Sequence, residues 1–229
     1  MTKTFFIAGT DTNIGKTTVT LSLINYLQNQ NKTVLGLKPI ATGGYHQDQN
    51  LLNSDAVLLQ QASNLKPLYQ HVNPYCFLPP VSPHIINQNF TARDLSLACT
   101  NNINIYQPDY CLIEGAGGWL CPLNNTETMA DLAVNLNIPI ILVIGLKLGC
   151  LNHSLLTAEA IKHKQLKLHG WIANCLAKNI DDFAQEDNIT YLNKNISAPC
   201  LGKIDYLDYI DYTDYRQSPV INIQLPLIL

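Results

Sequence analysis

Charge is scarce in this chain of 229 residues: 14% of them are Asp, Glu, Lys or Arg, with 14 basic against 17 acidic side chains. A net charge of −3 leaves no basic excess to meet a phosphate backbone, which argues against a nucleic-acid partner. The seven cysteines are odd in number and no two form a C-x-x-C pair, so neither a zinc site nor a disulfide framework is expected. Reduced thiols, several inside apolar strands, fit this pattern. Long hydrophobic runs are missing too. The apolar run in MTKTFFIAG is too short for a signal peptide. The longest such run, Ile138 to Leu146, is about half the ~20 residues a membrane helix needs. The expected location is cytoplasmic. The histidines of Ser82-Pro83-His84 and Asn152-His153 lack metal-ligand spacing, and no Ser-His-Asp or Cys-His arrangement marks a nucleophile. Internal repeats, linkers and low-complexity tracts are absent as well, so one domain over residues 1–229 is expected.

What the chain does have is hydrophobic residues, 47% of the total, in short bursts between polar loops. Apolar runs at Phe5–Ala8, Thr33–Leu37, Tyr110–Ile113, Pro139–Gly145 and Gly170–Ala173 read as strands, with a sixth inside Ala198–Ile204. Helical spacing marks Thr17–Gln28, Asn53–Ala62, Thr128–Leu136 and His153–His163, with Asn53 or Ser54 as a cap for the second of these. Strands alternating with helices predict an α/β fold, a mostly parallel sheet covered on both faces. The acidic, tyrosine-rich DYLDYIDYTDY from Asp205 to Tyr215 reads as an exposed loop or short helix.

Ligands of such sheets bind beyond the carboxyl ends of the strands. The first strand ends in GTDTNIGKTT, Gly9 to Thr18. Its second half matches a phosphate-binding loop, G-x-x-x-x-G-K-[ST], but five residues rather than four separate Gly9 from Gly15. Gly15 lets the backbone approach a phosphate, and the N–H groups opening the next helix point at the anion. Lys16 would reach the outer phosphates, and the Thr17 hydroxyl would ligate Mg²⁺. At other strand ends stand Lys38, Glu114 before Gly115-Ala116-Gly117-Gly118, Lys147 and Asn174. Glu114 occupies the place of the acid in a second nucleotide motif that binds Mg²⁺. Two residues stay open at this level. Lys38 is a surface charge beside Pro39 or a cation facing the crevice. Asp55 is a metal ligand or a helix-opening acid that complements the dipole.

Taken together, GTDTNIGKT, LKPIATG, NSDA, NPYCFLPPVSPHII, IEGAGGWLCPL, PIILVIGLKLGCLNH and GWIAN resemble the dethiobiotin synthetase family over nearly the whole chain. That family's loop carries the same five-residue gap. The resemblance implies a P-loop NTPase-like fold and a homodimer. It also implies a ligase that turns 7,8-diaminononanoate, CO₂ or bicarbonate and Mg-ATP into dethiobiotin, ADP and phosphate. By resemblance, Lys16, Lys38 and Thr12 serve catalysis, and Thr17, Asp55 and Glu114 hold Mg²⁺. Asn13, Ile14, Gly15, Lys16, Thr17 and Thr18, with Gly115, Ala116 and Gly117, cradle the nucleotide phosphates. Asn174, Cys175, Asp205, Tyr206 and Leu207 surround the base. Thr42 contacts the carbamate side, and the amides of Leu148, Gly149 and Cys150 receive the substrate carboxylate across the dimer interface.

Three positions depart from the family pattern. Asn13 stands where an acid is common, Thr42 replaces a serine, and Asp205 puts an acid beside the base. The main rival is a P-loop switch ATPase of the partitioning or metal-delivery type, which needs a lysine early in the loop that Thr10-Asp11-Thr12 does not offer. A corrinoid amidating synthetase would need an added glutaminase domain. A non-catalytic nucleotide-binding module would not need Lys38, Asp55 and Glu114 all present.

Overall fold

In a computed structural model, the described residues are 1–86, 90–178, 182–206 and the pair 222–223. A seven-stranded sheet forms the centre. It contains β1 (Lys3–Gly9), β2 (Val34–Leu37), β7 (Tyr110–Glu114), β8 (Ile140–Leu146), β9 (Leu168–Cys175), β10 (Cys200–Ile204) and β11 (Asn222–Ile223). Two small pairs lie apart from it: β3 (Ile40–Thr42) with β6 (Tyr75–Phe77), and β4 (Tyr45–Gln47) with β5 (Asn50–Leu52). The order across the main sheet is β11-β10-β9-β8-β1-β7-β2, parallel throughout except for the antiparallel edge strand β11.

The apolar strands sit at the centre because both of their faces are covered. Successive side chains point to opposite faces. Phe6 and Ala8 of β1 join Cys111 and Ile113 of β7 and Leu142 and Ile144 of β8 in one core cluster. Phe5 and Ile7 join Leu112, Ile141 and Val143 in the other. The second cluster is closed by α1 (Lys16–Gln28), through Val19 and Leu23, and by α2 (Ser54–Ala62), through Ala56 and Leu59. The first is closed by α5 (Ala92–Tyr106), α6 (Met129–Leu136), α7 (Cys150–His163) and α8 (Asp182–Asn195). The short helices α3 (Tyr69–Val72) and α4 (Pro83–Ile86) complete the set.

Every strand and helix expected from periodicity is present, some with longer bounds. α7 begins at Cys150 rather than His153, and β9 runs on to Cys175, so Asn174 belongs to the strand itself. Two long helices escaped the periodicity reading. α8 is rich in Asn and acids with sparse apolar positions, and the apolar positions of α5 are interrupted by Thr100-Asn101-Asn102. For α5 a signal was available: Thr91 and Asp94 form a capping box, the Thr-x-x-acid pattern that opens a helix. Of the stretch from Asp205 to Tyr215, residues 207–215 lie outside the described residues. The seven cysteines are free thiols, four of them buried.

α6 is held by a second capping box. The Thr128 N–H and hydroxyl donate to Asp131 Oδ2 at 2.7 and 2.8 Å, and Lys164 Nζ donates to Asp131 Oδ1 at 2.8 Å. Partial burial pushes the Asp131 carboxyl up, but these bonds outweigh it and hold its pKa below the ordinary value. Asp131→Asn is expected to cost about 1 kcal/mol of stability at pH 7. The carboxylate's share is fully present above its unfolded value of about 3.9 and fades as pH falls through the lower folded value. Urea unfolding of both proteins at pH 7 and near pH 3 checks this. An equal difference at the two pH values would contradict it.

Candidate active site

The loop from Thr10 to Gly15 links the carboxyl end of β1 to α1. Gly15 takes a left-handed backbone, φ 85°, that an L side chain rarely adopts, and a Cβ there would collide with the Asn174 amide. Asn13 is left-handed as well, φ 55°, a conformation that Asn tolerates better than most residues. Glu is less suited to that backbone, which gives the departure at Asn13 a conformational reading. The Ile14 side chain is wholly buried under the loop, and its carbonyl accepts from Asn174 Nδ2 at 2.8 Å. β9 therefore braces the loop from below.

A cleft of about 340 Å³ opens above the loop. It gathers Thr12, Asn13, Gly15, Lys16, Thr17 and Thr18 from the loop and α1, and Lys38 and Thr42 from the region after β2. Asp55 comes from the first turn of α2, Glu114 from the end of β7, and Ala116 and Gly117 from the turn beyond it. Gly117 is held at φ 61°, with no room for a Cβ against the Cys121 thiol. Three strand ends and two helix starts thus supply the site; Lys38 faces the crevice, and Asp55 both opens α2 and lines the cleft. Lys38 and Asp55 line it together.

Its centre is a charged cluster. Lys38 Nζ lies 2.6 Å from Glu114 Oε1 and 3.0 Å from Asp55 Oδ2. Thr17 Oγ1 donates to the same Glu114 oxygen at 2.9 Å. Lys38 is 5% exposed and Glu114 is fully buried, whereas the Asp55 side chain is 40% exposed. Burial alone would push the Lys38 ammonium down, but the Glu114 and Asp55 carboxylates overcome this and raise it above its ordinary value. For Asp55, burial raises the carboxyl and Lys38 brings it to a net lowering. Lys16 has no such partner. Among the described residues its Nζ donates to the Asp11 carbonyl at 3.2 Å. Burial takes its pKa down to about 8, with Lys38 adding to the drop and Glu114 opposing it.

Other expected residues stand outside the cleft lining. Gly115 packs against Phe6, and Cys175 is buried with its thiol on Gln185 Oε1 at 2.8 Å, so its side chain belongs to the core. Asp205 is exposed and lies 3.4 Å from Lys203 Nζ, with Tyr206 exposed next to it. Leu207 lies outside the described residues. At the start of α7, Leu148 is exposed and Gly149 is left-handed, while the Cys150 N–H donates to the Lys147 carbonyl at 3.0 Å. That corrects the expectation of three open amides, because the turn before α7 uses one of them. Sequence reasoning assigned no role to Lys147, which pairs with Asp11 Oδ2 at 2.7 Å and ties the end of β8 to the phosphate-type loop. Its place at a strand end was the available signal.

The donor set also fits a hard cation. A hydroxyl and two carboxylates offer only oxygen, and Glu114 Oε2 is buried without a hydrogen-bond partner. Among the described residues no group of three His, Cys, Asp or Glu side chains could hold an ion by itself. Phosphate oxygens would have to complete the shell, as is usual for Mg²⁺.

A parallel sheet with helices on both faces and a glycine-lysine-threonine loop at the end of its first strand defines a P-loop NTPase-like fold. The septum site-determining protein MinD complexed with Mg-ADP from Pyrococcus horikoshii OT3 has the same fold, with a TM-score of 0.57 and 20% identity over 96% of this chain and 88% of that one. A family model described as an AAA domain matches residues 3–213. The ATP-dependent dethiobiotin synthetase BioD of Cellvibrio japonicus is 44% identical over 90% of both chains. BioD 1 of Escherichia coli K12 is 41% identical over 90% of this chain and 92% of its own. The chain belongs to the ATP-dependent dethiobiotin synthetase family.

The low Lys16 pKa generates a test. A phosphate anion seated on the loop would favour the charged ammonium, so ADP binding without added divalent ion should take up protons near pH 8.5 and not near pH 6. Calorimetry in two buffers of different protonation heat reads this directly. Equal proton uptake at both pH values would contradict it.

Proposed function

We propose that the protein is a cytoplasmic, homodimeric ligase in which residues 1–229 act as one P-loop domain. It carboxylates 7,8-diaminononanoate with CO₂ and closes the ring to dethiobiotin, using ATP. The observation that carries this reading is the buried Lys38, bracketed by Asp55 and Glu114 directly beside the Gly15-Lys16-Thr17 loop. Identity of 44% with a dethiobiotin synthetase over nearly the full length supports it. No helix among the described residues is long and apolar enough to cross a membrane.

One substrate amine adds to CO₂, loses a proton and becomes a carbamate. A carbamate oxygen attacks the γ-phosphorus, the bond to the β-phosphate oxygen breaks, and ADP leaves. The second amine then attacks the carbonyl of the mixed anhydride and loses its proton. Phosphate is expelled and the five-membered urea ring closes. Two anions must meet in line, so the chain's task is mainly positioning and charge neutralisation. Lys38 faces the carbamate and γ-phosphate, and Lys16 faces the outer phosphates. The Thr12 and Thr42 hydroxyls steady the carbamate. Backbone N–H groups from Asn13 to Thr18 and of Ala116 and Gly117 line the phosphates, whereas the Gly115 N–H is taken by the Ile7 carbonyl at 3.1 Å. Thr17, Asp55 and Glu114 would hold Mg²⁺, which when bound supplies further neutralisation of phosphate charge.

The Leu148 and Gly149 amides receive the substrate carboxylate across the dimer interface. Asn174, held by the Ile14 carbonyl, reads the base edge; Asp205, Tyr206 and Leu207, the last outside the described residues, are the further residues proposed to contact the base. Lys203 beside Asp205 offsets part of the acid's charge, and comparing ATP, CTP and GTP as substrates measures the nucleotide preference.

Dethiobiotin formation should require the diamine, bicarbonate and Mg-ATP together. Phosphate release that proceeds equally without the diamine would favour the switch-ATPase reading instead. Lys38→Gln is expected to lower turnover roughly 100-fold while nucleotide affinity stays within a few-fold. Steady-state kinetics beside ADP titration checks the split, and near-normal turnover would remove Lys38 from the mechanism.

A further inference from the structure

On the side of Lys38 away from the phosphate loop, a chain of buried hydrogen bonds runs beneath the cleft. Asn73, 3% exposed, donates from Nδ2 to the Lys38 carbonyl at 2.6 Å and to the Tyr75 carbonyl at 3.3 Å. Its Oδ1 accepts from the Tyr69 hydroxyl at 2.9 Å. The Tyr69 oxygen in turn accepts from the Asn53 backbone N–H at 2.7 Å. Asn53, 5% exposed, caps α2 by accepting from the Ala56 N–H at 3.3 Å, and its Nδ2 donates to the Thr42 carbonyl at 3.2 Å. A backbone bond from Lys38 N–H to the Val72 carbonyl, 2.9 Å, closes the circuit onto the helix that carries Tyr69.

The direction of each bond is fixed by chemistry. Asn73 Nδ2 can only donate, so its oxygen must accept, and the tyrosine must supply that proton. Having given its one proton, the tyrosine oxygen is free to accept from Asn53. Burial raises the phenol's pKa, which keeps that proton in place at neutral pH. Each end of the circuit grips the backbone of a residue in the cleft: Lys38, Thr42 and the first turn of α2, where Asp55 sits. Lys38 and Thr42 are close in the chain, and α2 and the Tyr69–Asn73 segment reach them from further along it. The main-sheet ladder does not reach the β3 segment, because β3 pairs only with β6. α2 is held to β2 at its far end, where Ser63 Oγ accepts from the Gly36 N–H at 2.9 Å, and the circuit adds a tie at its first turn.

We propose that Tyr69, Asn73 and Asn53 are positioning residues that set Lys38, Asp55 and Thr42 at their mutual spacing for the phosphoryl-transfer step. The inference rests on the dethiobiotin synthetase reading. None of the three needs to touch substrate. They act through the backbone of residues that line the cleft, and a small displacement there costs rate rather than nucleotide binding.

The test uses Tyr69→Phe, which removes both links of the circuit at almost unchanged volume, and Asn53→Ser. Serine retains a helix cap but is too short to donate to Thr42. Each variant should lose about 10- to 100-fold in kcat for dethiobiotin formation, with KM for Mg-ATP and ADP affinity within a few-fold of the parent. In a Lys38→Gln background, Tyr69→Phe should cost less than about two-fold more, because the two act as one unit. Losses that multiply, or a rise in KM that accounts for the whole effect, would overturn the proposal. Parent-level turnover in both variants would do so too. If Tyr69→Phe fails to give a cooperative thermal melt, Asn53→Ser alone decides. A parent protein that makes no dethiobiotin at all defeats the functional reading instead, a result distinct from any of these.

Discussion

A buried ammonium group between two carboxylates organises this molecule. Lys38 is almost fully enclosed, and an unpaired charge there would cost several kcal/mol. Glu114 and Asp55 remove that cost, and in doing so they fix where β2, β7 and α2 must end or begin relative to one another. The same contact gathers a cation, two anions and a hydroxyl in a few ångströms beside the loop at the end of β1. Pairing of this kind is weak evidence for net stability. Here it concentrates charge of both signs at the one edge of the sheet where ligands of this architecture bind.

Strand order makes the contact possible. The chain runs from β1 through α1 to β2 but leaves a gap between them, and β7 later fills it. Glu114 at the end of β7 thus arrives between the loop after β1 and Lys38 after β2. β8 then adds on the other side of β1 and delivers Lys147 to Asp11 on that same loop. Asn174 on β9 braces the loop through the Ile14 carbonyl. The loop is supported by residues far apart in sequence, and within it Asn13 takes a left-handed turn.

Much of this was legible in the residues alone. The apolar bursts that became β1, β7 and β8 are uninterrupted because both their faces are buried, and such runs are the plainest signal a sequence carries. The lysine, the acid and the small residues at strand ends were legible for the same reason: a strand end is a place, and its place predicts its neighbours. α8 was harder because most of its described side chains are exposed, and α5 because polar residues interrupt its apolar positions. The fates of Lys38 and Asp55 were undecidable locally, since each depended on a partner about 76 and 17 positions away, respectively, across the fold. The Tyr69–Asn73–Asn53 circuit was invisible for the same reason. Asn53 and Asn73 open two of the family-like segments, but nothing in those segments says which carbonyl each one reaches.

In the proposed reaction, the charge gathered around Lys38 serves attack by a carbamate oxygen on the γ-phosphate. The most direct measurement follows oxygen. With ¹⁸O-labelled bicarbonate supplied briefly to the protein, the diamine and Mg-ATP, the released inorganic phosphate should carry one labelled oxygen for each ring closed. Unlabelled phosphate from a reaction that still forms dethiobiotin would show that water, not the carbamate, reaches the phosphorus.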